Sequence, residues 1–354
     1  MHPCSKHCQH DEQKGTTFLH GACHSGNVRS VVDLLKNQAN INATDKSGNT
    51  PLLIACRRGH VDTVNALLSK KPQMDIRTQD SGRTVLHACV ECGNVDLLHI
   101  LIKSFDGEDE KAAFLCAQDN AGWTALHIAA EKGHVEVVKT LLGETALVNV
   151  PNKKGSTPLF QACLNGHFEV ARILLEHCAE VNPESSDNTS PLHVACVGST
   201  DRVEIVQLLL ERKASVNAKE KSKGWTALHY SAQNGTIKSV EALVKVSREL
   251  VNRASFEGVT PLHLSCLEGR ADVADTLLRY GARVNVKDRQ GSTPLHVAAA
   301  NSHADVVTLL LQHGAAKGTR NHPGNTPVDL AHGRNHGHVV DTLIALNLFD
   351  NLQL

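Results

Sequence analysis

Thr260-Pro261-Leu262-His263-Leu264-Ser265-Cys266-Leu267-Glu268-Gly269 is a phrase this chain keeps repeating. Thr293-Pro294-Leu295-His296 follows one period later, and Ser190-Pro191-Leu192-His193 precedes it. Thr50-Pro51-Leu52, Thr157-Pro158-Leu159 and Thr326-Pro327 carry shorter forms. Thr17-Phe18-Leu19-His20, Thr84-Val85-Leu86-His87, Thr124-Ala125-Leu126-His127 and Thr226-Ala227-Leu228-His229 are variants. Successive steps are 33, 34, 40, 33, 33, 36, 34, 33 and 33 residues, which makes ten units. A fixed period of this size marks a repeat architecture.

Each unit has a local logic. Thr or Ser caps a helix, and Pro at the next position costs no backbone donor in the first turn. The first helix is short and closes near Gly59, Gly133, Gly166, Gly235 or Gly269. A second helix follows with apolar residues at helical spacing, as in Val61, Val64, Leu67 and Leu68. A turn-rich stretch such as Asp288-Arg289-Gln290-Gly291 then leads to the next Thr. One unit cannot bury its apolar side alone, so neighbours must stack.

Composition agrees. The 354 residues carry 36 Lys and Arg against 37 Asp and Glu, a net charge of −1, and 41% are hydrophobic. That excludes a disordered chain, and it leaves no overall basic field to draw nucleic acid. No apolar run is long enough to cross a bilayer. Seven Phe, two Trp and two Tyr are few for a thick core, where aromatics normally dominate burial. A thin aliphatic layer repeated many times explains the scarcity. The expected division is a flexible tail over 1–15, an array over 16–346 and a C-terminal tail over 347–354. Units are expected to start near 16, 49, 83, 123, 156, 189, 225, 259, 292 and 325.

The phrase, its period and the continuation Gly-His-Val resemble the ankyrin repeat, over more than nine-tenths of the chain. The resemblance implies an all-α repeat solenoid of ten helix-turn-helix units with short β-hairpin or turn fingers. It also implies a curved stack that binds other proteins through finger tips and inner helices. Three segments depart from the pattern. The third unit gains about seven residues between Ile102 and Asp119, with Asp106, Glu108, Asp109 and Glu110 among them, expected as a surface loop. The sixth unit is lengthened around Gly198–Arg202 and again around Glu220–Lys223. Asp329 and His332 break the tenth unit, which is expected to act as a polar C-terminal cap.

Residues that could carry chemistry mostly fall into the repeat phase. His20, His87, His127, His193, His229, His263 and His296 follow the repeated Leu, and His60, His134, His167, His303 and His336 sit beside the inter-helix Gly position. Hydrogen bonding between units is their expected duty. Cys23, Cys56, Cys163, Cys196 and Cys266 recur at one phase, where other units place Ala, so Cys acts as a small buried residue. In Cys89-Val90-Glu91-Cys92, Cys89 falls at an Ala position and Cys92 is the better reactive-thiol candidate. Outside the array, Cys4, His7, Cys8 and His10, with His2, are weak candidates for zinc or copper. No P-loop, nucleophile elbow or zinc-protease motif occurs, so no enzyme and no cofactor is expected.

The polar N-terminus and an odd count of 11 Cys point to a reducing compartment, cytoplasmic or nuclear. Asn42, Asn188 and Asn234 match the glycosylation pattern by chance in that setting.

Position by position, the resemblance implies a partner surface. It comprises Lys46, Arg57, Arg58 and Arg83 as a basic group, then Trp123, Lys132 and Leu164, then Trp225, Phe256 and Leu267 as an aromatic and apolar group. Both Trp residues are either partner anchors or packing against neighbouring hairpins. The expected function is a non-catalytic, monomeric scaffold that binds a protein or extended peptide, with no nucleic acid and no membrane insertion. Two alternatives stand beside it. The resemblance implies asparagine hydroxylation, best placed at Asn182, with Leu174 eight residues earlier and Glu180-Val181 preceding. The N-terminal tail would make a metal-responsive protein.

Overall fold

The computed structural model describes residues 15–144, 146–183 and 185–350. Among these there are 21 α-helices, one 3₁₀ helix and no strand. The chain divides into two compact units, Met1–Glu180 and Val181–Leu354. In each, a first helix packs on the first helix of the next repeat and a second helix on the next second helix.

In the first unit the first helices are Phe18–Ser25, Pro51–Arg58, Val85–Cys92, Ala125–Lys132 and Pro158–Asn165. In the second they are Pro191–Ala195, Ala227–Asn234, Pro261–Leu267, Pro294–Ala300 and Pro327–Gly333. The repeated Leu is the core of each layer. Leu19, Leu52, Leu86, Leu126 and Leu159 are at most 1% exposed, as are Leu192, Leu228, Leu262 and Leu295. Each contributes on the order of 2–3 kcal/mol of burial. Cys23, Cys56, Cys163, Cys196 and Cys266 fill the same layers. Cys92 is corrected: its thiol is half-buried and donates to the Cys89 carbonyl at 3.0 Å. Burial pushes its pKa up, which suppresses the reactive thiolate.

The fingers are turns. Asp45, Asp119 and Asp288 each accept backbone N–H groups two and four residues on. One bond then joins finger to finger, as from Gln79 N–H to Ser47 O at 2.8 Å and from Arg289 N–H to Glu257 O at 2.9 Å. The finger before Thr226 has one residue more, and there Glu220 replaces Asp. Its longer side chain reaches N–H groups two, three and five residues on, at Ser222, Lys223 and Trp225.

The inter-helix position takes a positive φ, which favours glycine, although Ser302 and Asn335 adopt it in the ninth and tenth repeats. Gly133 has φ +74°, and an added Cβ would lie 2.5 Å from His167 Nδ1. Gly59 has φ +73° with nothing within 4 Å. Gly59→Ala is expected to cost about 1 kcal/mol from backbone strain alone. Gly133→Ala should cost roughly 1–2 kcal/mol more, because the His167 ring must also shift. Thermal melts of the two variants check this; equal losses would remove the packing argument.

The insertion in the third repeat is not a loop. It forms a helix, Glu108–Leu115, with Phe114 and Leu115 buried and the Phe105 ring 4.7 Å from that of Phe114. Three acidic residues in its first turn suit the helix dipole. In the sixth repeat the first helix stops at Ala195, and Arg202 donates to the Val194 and Val197 carbonyls this exposes.

Candidate functional site

Seven histidines link the repeats by one shared geometry. In each, Nδ1 accepts the backbone N–H of the capping Thr or Ser, at 3.1–3.2 Å. Nδ1 therefore carries no proton, so Nε2–H is the donor. It reaches the carbonyl just before the next cap: Asn49, Trp123, Ser156, Trp225, Val259, Ser292 or Asn325, at 2.9–3.2 Å. This geometry fixes the neutral tautomer. Burial lowers the pKa of His87, His193, His263 and His296, and takes His127 and His229 down to about 4. Repeats two and five place Leu53 and Phe160 here, and the Thr hydroxyl alone caps. In the tenth, Asp329 closes the box, accepting from Thr326 N–H at 2.8 Å and its hydroxyl at 2.7 Å.

The histidines that follow the positive-φ inter-helix position face backward. Nε2 of His60, His167, His303 and His336 bonds the carbonyls of His24, Glu131, Leu267 and Ala300 at 2.9–3.2 Å. These carbonyls end the preceding first helices, where intrahelical donors run out, and Ala300 O also accepts from Arg334 Nη1 at 2.8 Å. Eleven of the twelve patterned histidines thus hold structural bonds, while the buried Nε2 of His134 has no hydrogen-bond partner among the described residues. Among the described residues, no three His, Cys, Asp or Glu side chains gather as a metal site requires. Cys4, His7, Cys8 and His10 lie outside the described residues.

The description "ankyrin repeats (3 copies)" matches residues 2–80, 72–152, 144–220 and 201–288, and "ankyrin repeats (many copies)" matches 277–331. The chain belongs to the ankyrin-repeat family. The crystal structure of the human ASB11 ankyrin repeat domain is 30% identical, with a TM-score of 0.58, and the match covers 63% of this chain and 97% of that domain. The probable 26S proteasome regulatory subunit p28 of Saccharomyces cerevisiae is 28% identical over 68% of this chain and 90% of its own length. The E3 ubiquitin-protein ligase KEG of Arabidopsis thaliana is also 28% identical, over 77% of this chain but only 17% of the ligase. Ankyrin repeats generally mediate protein–protein interaction, and the fold is typically non-catalytic. No helix among the described residues is long and apolar enough to cross a membrane.

Within the ankyrin frame the expected partner residues separate. Lys46, Arg57, Arg58 and Lys132 are exposed. Arg83 is half-buried, its guanidinium 2.8 Å from Glu91 and 3.5 Å from Asp119. Glu91 also lies 4.0 Å from Arg57, so the basic group is partly neutralised. Trp123 and Leu164 are half-buried, with the Trp123 ring 5.7 Å from that of His127. Phe256 and Leu267 are 45% and 39% exposed. The Phe256 ring lies against Gly224, with Lys219 Nζ 5.8 Å from its centre.

Trp225 is packed inward rather than presented on the surface. It is only 7% exposed, stacked on His229, edge-on to Tyr230, and roofed by Lys223 Nζ at 4.3 Å. The longer finger before it folds Lys223 over the ring. Asn182 is exposed, yet its amide accepts from Ser215 N–H at 2.8 Å and donates to Lys213 O at 3.3 Å. Asn149, Asn252 and Asn285 repeat that pair of bonds, so nothing in this geometry singles Asn182 out.

Proposed function

We propose that this ankyrin-repeat chain is a non-catalytic scaffold whose ligand is a protein or an extended peptide. The observation that carries the proposal is the exposure of Phe256 on a finger and Leu267 at the end of the following helix. Phe256 stands where every other repeat of this chain places a polar residue, and Leu267 where five of the other nine do. Exposed apolar side chains held on a rigid frame lose little freedom on binding, which favours affinity. In the first compact unit, Lys46, Arg57, Arg58 and Lys132 add a cationic region suited to an acidic stretch of ligand.

The test is affinity capture with three full-length baits: wild type, Phe256→Ala with Leu267→Ala, and Arg57→Ala with Arg58→Ala. All four side chains are exposed, so each substitution should change stability by well under about 1 kcal/mol. Loss of specific partners from one variant, with others retained, supports the assignment. Identical partner sets from all three baits would remove these residues from the binding surface.

A further inference from the structure

The inserted helix Glu108–Leu115 does more than cover its own two buried residues. It stands beside the segment 72–77 and encloses with it a cleft of about 580 Å³. That volume falls within the range of roughly 300–1,000 Å³ where ligand pockets are found. Pro72 and Met74 form one wall, Ala113 and Phe114 the other, with Phe105 and Ala117 between them. The lining also carries two carboxylates on opposite walls, Asp75 from the segment and Glu110 from the helix. Both are exposed, and neither has an ion-pair or hydrogen-bond partner among the described residues. The one cation in the lining, Arg77, spends Nη1 on the carbonyls of Gly82 and Gln118. Helix-dipole stabilisation accounts for Glu110 but not for Asp75, which belongs to no helix.

We propose that this cleft binds a short peptide segment in which a bulky apolar residue is flanked by Lys or Arg. The apolar side chain fills the space between Met74 and Phe114. The flanking cations meet Asp75 on one side and Glu110 on the other, which fixes the ligand chemistry as basic–apolar–basic. None of the residues assigned to the scaffold surface takes part.

The experiment pans a random-heptapeptide display library on the full chain, then measures enriched peptides by fluorescence anisotropy. Enriched peptides should share an aromatic or aliphatic residue next to Lys or Arg. Ala113→Trp, which fills the cleft from an exposed helix position, should weaken them at least about tenfold. Asp75→Lys with Glu110→Lys should do the same, and raised salt should weaken binding to the wild type. Phe256→Ala with Leu267→Ala should leave affinity unchanged, which separates this site from the scaffold surface. Circular dichroism verifies that each variant is folded, and the charge-reversed pair stands alone if Ala113→Trp unfolds. Failure to enrich such peptides, full affinity in the folded variants, or dependence on Phe256 would overturn the proposal.

Discussion

Lowering the pH from 7 to about 5.5 is expected to begin destabilising this protein before most of its carboxylates titrate. The cause is the set of histidines that hold one repeat to the next. Each has Nδ1 occupied as an acceptor and Nε2–H occupied as a donor, so a second proton has no place without breaking the cap. Burial lowers the pKa of six of them below the ordinary 6.5, to about 4 for His127 and His229. In the unfolded chain the same groups protonate near 6.5. The folded state then binds fewer protons, so stability is whole above pH 6.5 and declines as pH falls towards 4. A gap of about 2.5 units corresponds to on the order of 3 kcal/mol for each of His127 and His229 by pH 4. Neighbouring charges modify this: Asp119 raises the pKa of His127 while His87 lowers it, and Lys219 and His193 lower that of His229 while Glu220 raises it. Urea titrations at pH 7.5, 6.0, 5.0 and 4.5 measure the effect. His229→Gln should be weaker at neutral pH and show a flatter profile. A midpoint that holds steady across this range would sink the idea.

The fold was legible because the repeated phrase contains its own physics. A single stretch such as Thr293-Pro294-Leu295-His296 supplies the cap, the first turn, the buried Leu and the bond to the next repeat. Loops and surface were harder, since exposure depends on residues far away in sequence. Arg83 reads as a free cation until Glu91, eight residues on, and Asp119, 36 residues on, close around it. The insertion read as a loop because only Phe114 and Leu115 mark its inner face, too few for a periodic signal. Its acidic first turn, Glu108-Asp109-Glu110, was the available sign of a helix start. The cleft that this helix makes with the segment 72–77 has no signature in either segment alone.

Trp225→Ala is expected to cost the protein about 3–5 kcal/mol, the range for truncating a large buried aromatic. The argument starts from Glu220. Its carboxylate is held low in pKa: burial would raise it, but hydrogen bonds from Ser222, Trp225 and Lys223 outweigh that. The anchored carboxylate sets the path of the longer finger, which lays Lys223 over the indole. Beneath it the ring meets His229 at 6.1 Å and Tyr230 at 5.1 Å, so Ala would leave a void in contact with an inter-repeat histidine. The backbone bonds of residue 225, to Glu220 through its N–H and from His193 through its carbonyl, survive the substitution. The loss is therefore one of packing, and neighbouring repeats share it because stability in stacked repeats travels through interfaces. Trp123→Ala, at a half-buried site, should cost clearly less. Calorimetric or urea melts of both variants decide the matter. If Trp225→Ala melts like the wild type and instead loses a binding partner, the ring is a surface anchor after all.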